Sequence, residues 1–474
     1  MTGLADLGRV HLVGIGGVGM SAVALLLAAR GVPVSGSDAH DGPGLDALRA
    51  AGVDVRVGHD ASAVDGADTV VVSSAVRETN PELAAARAQG LAVLHRSQAL
   101  AALMAGRTTI AVAGAHGKTT TSAMVAVGLV HAGADPSFAI GGVVVDDTGR
   151  LGGARDGCGP FVAEADESDG SFLAYAPQVA VVTNVEPDHL DHYGTTEAFE
   201  QAFVEFAQRV TGPVPALPGG LLVVCADDPG AARLAAAAAR PGLTIVTYGA
   251  SSPDAQVRVG PVEPDQDAWS VAVTWSGAAA RVRLAAPGAH NALNAAAAWT
   301  VLCALGTDPD DAAQALGHFR GTGRRFEDRG TVDGVRVVDD YAHHPTEVAA
   351  LLRAARTVAG AGRVLVLFQP HLFSRTKQFA TQFGQALDLA DTVVVTAVYA
   401  AREDPDPQVT SQLLVDAVPT TAKAVYVADR YDAAHAVAAA ARSGDLVLTV
   451  GAGDVTDLGP VVLADLAARG DRHE

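Results

Sequence analysis

The chain has 474 residues, with 33 Lys and Arg against 53 Asp and Glu, for a net charge of −20. Apolar residues make up 49% and aromatics only 5%, so Ala, Val and Leu must fill the core, and the chain is too apolar to stay disordered. The charge excludes nonspecific binding to nucleic acid, since no local basic patch is visible, and the length suggests about three domains.

In the first hundred residues short apolar runs alternate with Ala/Leu-rich stretches. Val10–Val13, Val32–Val34, Thr69–Val72 and Leu91–Leu94 read as strands. Met20–Arg30, Gly44–Ala51, Pro81–Gln89 and Ser97–Ala105 read as the helices between them, which predicts a parallel sheet. A second alternation begins at Thr109–Ala113, followed by a glycine turn and a helix over Thr119–Ala132. Phe161–Ala163, Val179–Thr183, Leu221–Cys225 and Leu243–Thr247 continue it as buried strands. From about residue 255 to 285 apolar and polar residues alternate, as in antiparallel strands, and a helix over Asn291–Ala304 follows. Gly321-Thr322-Gly323 reads as a linker. A third alternation then places strands at Val335–Val338, Val364–Phe368, Thr392–Thr396, Ala424–Val427 and Leu446–Val450. The expected fold class is α/β in three domains: residues 1–107, 108–321 and 322–474.

Cys158, Cys225 and Cys303 are odd in number and widely spaced, so they read as buried structural thiols and not as a disulfide or metal framework. The apolar run Met20–Ala29 is about half a membrane span, and no basic segment or cleavage site precedes it. A cytoplasmic protein without membrane insertion is therefore expected.

Two glycine loops carry the chemistry. Gly14-Ile15-Gly16-Gly17-Val18-Gly19 fits G-x-G-x-x-G between a strand and a helix, where backbone N–H groups and the helix dipole suit a pyrophosphate. Asp38 closes the second strand, about two dozen residues after Gly14, in position to bond a ribose hydroxyl. NAD and a UDP-sugar both suit this loop. The second loop, Gly114-Ala115-His116-Gly117-Lys118-Thr119-Thr120, has the setting of a P-loop, shortened because Val112 stands where the first glycine is usual. Lys118 suits the β- and γ-phosphates of ATP, and the Thr119 hydroxyl suits Mg²⁺. Glu164-Ala165-Asp166-Glu167-Ser168-Asp169 puts carboxylates at a strand end, where oxygen ligands also suit Mg²⁺. His189, after another strand, reads equally as a metal ligand or a turn histidine.

Taken in order, Gly114–Thr121, Glu164–Gly170, Asp188-His189-Leu190-Asp191, His290-Asn291-Ala292-Leu293-Asn294, Gly323-Arg324-Arg325-Phe326-Glu327 and Asp340-Tyr341-Ala342-His343-His344-Pro345 resemble the motifs of the Mur ligases over essentially the whole chain. The resemblance implies a Rossmann-like N-terminal domain for a UDP-sugar, a central P-loop ATPase domain, and a Rossmann-like C-terminal domain for the amino acid. It points to the branch that uses ATP to join L-alanine to the lactyl carboxylate of UDP-N-acetylmuramate through an acyl phosphate, in peptidoglycan precursor synthesis. A monomer or homodimer is expected. Phe203 stands where sister ligases adding glutamate or diamino acids carry a carbamylated lysine, which favours the alanine branch. The alternatives are a ligase that recycles a whole peptide onto the same sugar and, from the first loop alone, an NAD-dependent dehydrogenase.

The resemblance also implies roles for single residues. Lys118, Glu164, His189, His344 and Arg375 are expected to be catalytic. Thr119, Glu164 and His189 are expected to hold metal. Gly114, His116, Gly117, Thr120, Asn291, Asn294, Arg324, Arg325 and Asp340 join Lys118 and Thr119 around ATP. Gly14, Gly16, Gly17, Gly19, Met20, Ser37, Asp38 and Ser73 are expected at the UDP-sugar. His343 and the loop Tyr399–Asp404 are expected near the amino acid, and the last domain is expected to close about Gly321–Gly323.

Overall fold

The computed structural model describes residues 3–266, 268–285, 288–401, 403–419 and 423–470. The chain forms two compact units, residues 1–285 with 291–320, and residues 286–290 with 321–474.

The first unit holds two sheets. One is wholly parallel, with β1 (Val10–Val13), β2 (Val34–Asp38), β3 (Asp54–Val57), β4 (Thr69–Val72) and β5 (Ala92–His95) in the order β3-β2-β1-β4-β5. Its order reverses at β1, so the crevice of the doubly wound sheet opens where the first glycine loop leaves β1. The other sheet has a parallel core: β6 (Thr109–Ala113), β7 (Ser137–Asp146), β9 (Phe161–Glu164), β10 (Val179–Val182), β11 (Gly220–Cys225) and β12 (Leu243–Gly249). The hairpin partner β8 (Gly149–Arg155) and the antiparallel β13 (Val257–Asp265), β14 (Ala268–Trp275) and β15 (Ala278–Leu284) extend it. β6 and β10 are buried along their full length, which explains their unbroken apolar sequences. Helix Val18–Ala29 packs against β7 and β8, and the Arg30–Asp156 ion pair, at 2.9 Å, ties the two sheets of this unit together.

β16 (Phe319–Thr322) contains the boundary between the units, so the expected linker at Gly321–Gly323 is in part strand. The second unit has one sheet: β17 (Glu327–Val332), β18 (Val335–Asp340), β19 (Val364–Phe368), β20 (Thr392–Val395), β21 (Lys423–Tyr426) and β22 (Leu446–Val450), in the order β17-β18-β22-β19-β20-β21. Only β17 runs antiparallel to its neighbour.

The sequence reading missed β3, β7, β8 and β17. Cys158 is exposed, held in a turn where its N–H donates to Asp135, so the expectation of three buried thiols fails there; Cys225 is buried and Cys303 half-buried. Among the described residues no helix is long and apolar enough to cross a membrane.

Candidate active site

The P-loop sits where β6 meets helix Lys118–His131. Gly117 caps that helix in the left-handed region, at φ 82°, and Gly114 has φ 132°. A Cβ on Gly114 would lie 2.1 Å from Thr183 Oγ1, so the loop passes this strand end only as glycine. The end of β10 shapes the loop. Asn184 Oδ1 accepts the His116 N–H at 2.9 Å, and the Asn184 amide and Thr183 hydroxyl both donate to the His116 carbonyl. The His116 ring lies 3.2 Å from Glu186. Asn294 is buried against Gly117, and Asn291 stands one turn earlier on the same helix face; Thr120 is half-buried in the first turn after the loop.

Lys118 Nζ donates to the Gly114 carbonyl at 2.7 Å and to Glu167 at 2.9 Å. Burial opposes its charge, but Glu167, Asp166 and Glu164 hold the ammonium charged. Glu167 is fully buried, and burial pushes its carboxyl up to about 7 against the pull of Lys118. Burial acts on Asp166 in the same sense, yet Lys118 and Arg96 bring its carboxyl down to about 2. The Thr119 hydroxyl donates to Glu164 Oε1 at 2.9 Å, and the Gly141 N–H donates to Oε2 at 2.7 Å. These two side chains form an oxygen donor pair at the phosphate end of the loop, of the kind that Mg²⁺ prefers. His189, the third residue expected to hold metal, stands seven residues beyond β10. Its Nε2 lies 3.9 Å from Glu167 and 3.6 Å from Asp188, in a residue whose backbone is left-handed at φ 54°. It therefore lies beside the carboxylate that pairs with Lys118.

The first glycine loop opens a cleft of about 640 Å³, lined among others by Gly14, Gly17, Gly19, Met20, Asp38, His59, Ser73, Arg77 and Arg96. Two expected residues, Gly16 and Ser37, do not line it. The Gly16 N–H donates to Asp38 Oδ2 at 2.9 Å, so Asp38 braces the loop from the cleft wall, while the Ser37 hydroxyl is buried and donates to Glu82. Arg96 connects this cleft to the P-loop side: it lines the cleft, and its guanidinium lies 3.1 Å from Asp166. A Cβ on Gly19 would come 2.5 Å from Arg96, so glycine leaves room for that side chain.

In the second unit Arg324 and Arg325 lie 4.9 and 5.2 Å from the centre of the Tyr341 ring. Arg324 donates to the carbonyls of Gly451 and Gly453, at 2.6 and 3.0 Å, and pairs with Asp339. Its fork is thus held by groups of its own unit. Arg325 lies 3.6 Å from Glu347. Both oxygens of Asp340 accept backbone N–H groups, from Phe326 and Ala342, and burial pushes its carboxyl up to about 6. Asp340 thus braces the turn between Phe326 and Ala342.

His344 is buried at the start of helix Pro345–Ala359, its ring 4.9 Å from Phe379. His343, His371 and Tyr399 form a row of rings, each pair 5.8 Å apart, and burial brings His343 down to about 3. Arg375 is buried in helix Phe373–Gln378, whose first N–H groups donate to Glu403. Arg402, in the expected amino-acid loop, lies outside the described residues.

Four functional candidates escaped the sequence reading: Glu167, Arg96, His59 and Glu82. The acidic run after β9 was the only signal for Glu167; the other three depend on contacts between segments far apart in sequence.

A cleft at a glycine loop, a P-loop with paired carboxylates and a second α/β unit are the parts of an ATP-dependent ligase. The chain belongs to the Mur ligase family. The catalytic-domain model of that family matches residues 9–108, the middle-domain model residues 112–302, and the glutamate ligase domain model residues 324–453. The UDP-N-acetylmuramate--L-alanine ligase of Kineococcus radiotolerans is 62% identical over 98% of both chains, and that of Mycobacterium marinum is 50% identical over 99% of this chain and 97% of its own. Among solved structures, the UDP-N-acetylmuramate-alanine ligase of Thermotoga maritima has a TM-score of 0.80 at 30% identity, covering 98% of this chain and 100% of that one. A murein peptide ligase from Psychrobacter arcticus has a TM-score of 0.72 at 25% identity, covering 97% and 99%.

Proposed function

We propose that this chain joins L-alanine to the lactyl carboxylate of UDP-N-acetylmuramate with hydrolysis of ATP to ADP and phosphate. The observation that carries the reading is the pairing, within one unit, of the Lys118/Thr119/Glu164 cluster with a nucleotide-sized cleft that it meets through Arg96 and Asp166. The relatives named as alanine ligases, at 50–62% identity over almost the full length, support the substrate pair. The peptide-recycling alternative rests on 25–29% identity, and the dehydrogenase alternative on the first glycine loop and Asp38.

The acceptor carboxylate attacks the γ-phosphorus, the bond to the β-phosphate oxygen breaks, and ADP leaves. The alanine amine then attacks the acyl carbon, phosphate departs with the bonding pair, and the amine loses a proton. Both steps bring anions together. Lys118 and the N-terminus of helix Lys118–His131 supply fixed positive charge where phosphoryl charge develops. Lys118 reaches a phosphate by releasing the Gly114 carbonyl while Glu167 keeps it charged. Thr119 and Glu164 would hold Mg²⁺, which when bound neutralises part of the phosphoryl charge. The free N–H groups of helix Val18–Ala29 receive the acceptor pyrophosphate. We assign residues 1–107 to the acceptor, 108–321 to ATP, and 322–474 to the amino acid, for which the buried Arg375 and the ring row His343, His371 and Tyr399 are the candidates.

Phosphate release from ATP, measured with UDP-N-acetylmuramate and a panel of amino acids, tests the reading. Release with L-alanine is expected. Release with a tripeptide only would establish the recycling reaction instead, and no release with any amine would overturn the ligase assignment.

A further inference from the structure

Beneath the acceptor cleft lies a carboxylate that the mechanism above does not use. Glu82 is the second residue of helix Pro81–Ala88 and is fully buried. Its Oε2 accepts the Ser37 hydroxyl at 2.6 Å and lies 3.2 Å from His11 Nε2. Its Oε1 accepts the Asp60 N–H at 3.2 Å and lies 3.3 Å from His59 Nδ1. Burial works to raise its pKa, but the bonds from His11 and Ser37 outweigh it and leave the carboxyl below its ordinary value. One charged group thus gathers β1, β2, the segment after β3 and a helix start at a single point, directly behind Asp38 and the glycine loop. A buried charge survives only with such a full set of donors.

Of these partners only His59 also lines the cleft. The proton arrangement around it follows by elimination. The one Ser37 hydroxyl hydrogen is directed at Glu82, so at its 3.0 Å contact with His59 Nδ1 the Ser37 oxygen can only accept. Glu82 Oε1, the other neighbour of Nδ1, is also an acceptor. Nδ1 therefore carries the hydrogen, and in the neutral ring Nε2 is left with a lone pair. Asp38, the usual acceptor at the end of a second strand, is already bonded to Gly16. Asp38 also lines the cleft and keeps acceptor capacity, so a histidine nitrogen there adds a second acceptor for a nucleotide hydroxyl or imide N–H.

We propose that Glu82 is a positioning residue for the acceptor nucleotide: by fixing the tautomer and orientation of His59, it makes Nε2 the hydrogen-bond acceptor for an N–H or O–H of the uridine moiety. The proposal rests on the reading of this cleft as the UDP-sugar site.

Calorimetric titration with UDP tests it on the full chain. E82Q keeps the shape but frees the tautomer, and H59A removes the acceptor. Each is expected to weaken UDP binding about tenfold, the loss of one well-placed bond. The double variant should bind no worse than H59A, because both act through one ring. The KM for ATP should stay within twofold of wild type, on the order of experimental scatter, which a general loosening of the unit would not allow. Nitrogen NMR of the wild type near pH 8 should show His59 as the Nδ1–H tautomer, a readout that stands even if E82Q fails to fold. An Nε2–H tautomer, unaltered UDP affinity in H59A, or additive losses in the double variant would overturn the proposal. A wild type that binds no UDP would overturn the reading of the cleft itself.

Discussion

The two glycine loops of the first unit look alike in sequence and differ in what surrounds them. Each follows a buried strand and opens a helix, so each offers backbone N–H groups to phosphate. The Gly14–Gly19 loop has no charged side chain and draws its cations from elsewhere in the chain, Arg77 and Arg96 at the cleft wall. The Gly114–Thr119 loop has a built-in cation, Lys118, and with it a set of carboxylates: the buried Glu167 and the half-buried Glu164 and Asp166. A loop that only holds a pyrophosphate works with dipoles and borrowed charge. A loop where phosphoryl charge moves needs a cation fixed beforehand, and that cation in turn needs anions to keep it charged in a dry site.

Four measurements can break or sharpen this contrast. The largest effect is expected from Lys118→Ala, which should cut phosphate release by about three orders of magnitude while UDP binding stays intact. Turnover near wild type would remove the distinction between the loops. Gly114→Ala comes next. Its Cβ would meet Thr183 Oγ1 at 2.1 Å in a backbone at φ 132°, so ATP binding should be lost and the protein should melt at lower temperature, by about 1–3 kcal/mol of strain. Gly19→Ala should act mainly on the other loop. By displacing Arg96 it should raise the acceptor KM several-fold, on the order of one lost charge-assisted bond, and shift the ATP KM by less. The smallest effect is a pH response in the second unit, which buries a neutral histidine where the first buries charges. His343 has a folded pKa of about 3 against an ordinary 6.5, so the folded state binds fewer protons. The stability it contributes is full above pH 6.5 and is lost as pH falls through that window. Urea titrations from pH 7 to 5 should show His343→Gln losing less stability than wild type, by roughly 2 kcal/mol.

The elements readable in the sequence were the buried ones. β6 and β19, apolar throughout, fall where their composition puts them, at Thr109–Ala113 and Val364–Phe368. β3 and β17 are edge strands with charged residues that are exposed or half-buried, so no apolar pattern marks them. The hairpin Ser137–Arg155 contains five glycines, at 141, 142, 149, 152 and 153, and its pairing comes from the β9 edge and not from side-chain alternation. The site divides in the same way. Lys118, Thr119 and Glu164 are legible because backbone geometry fixes them within a few residues of a strand end. Arg96, His59 and Glu82 gain meaning only from partners 22 to 71 residues away in the chain, which spacing cannot reveal.

Arg96 deserves a last consequence, because it belongs to the wall of one cleft and to the carboxylate cluster of the other. An anion entering the acceptor cleft competes with Asp166 for the same guanidinium. Asp166 is held ionised by Lys118 and Arg96 together, so a weakened hold by Arg96 leaves it leaning more on Lys118. Occupancy of one cleft is thereby felt as a change of field in the other. Thermodynamic reciprocity makes the message run both ways: whatever UDP-sugar does to the affinity for ATP, ATP must do in equal measure to the affinity for UDP-sugar.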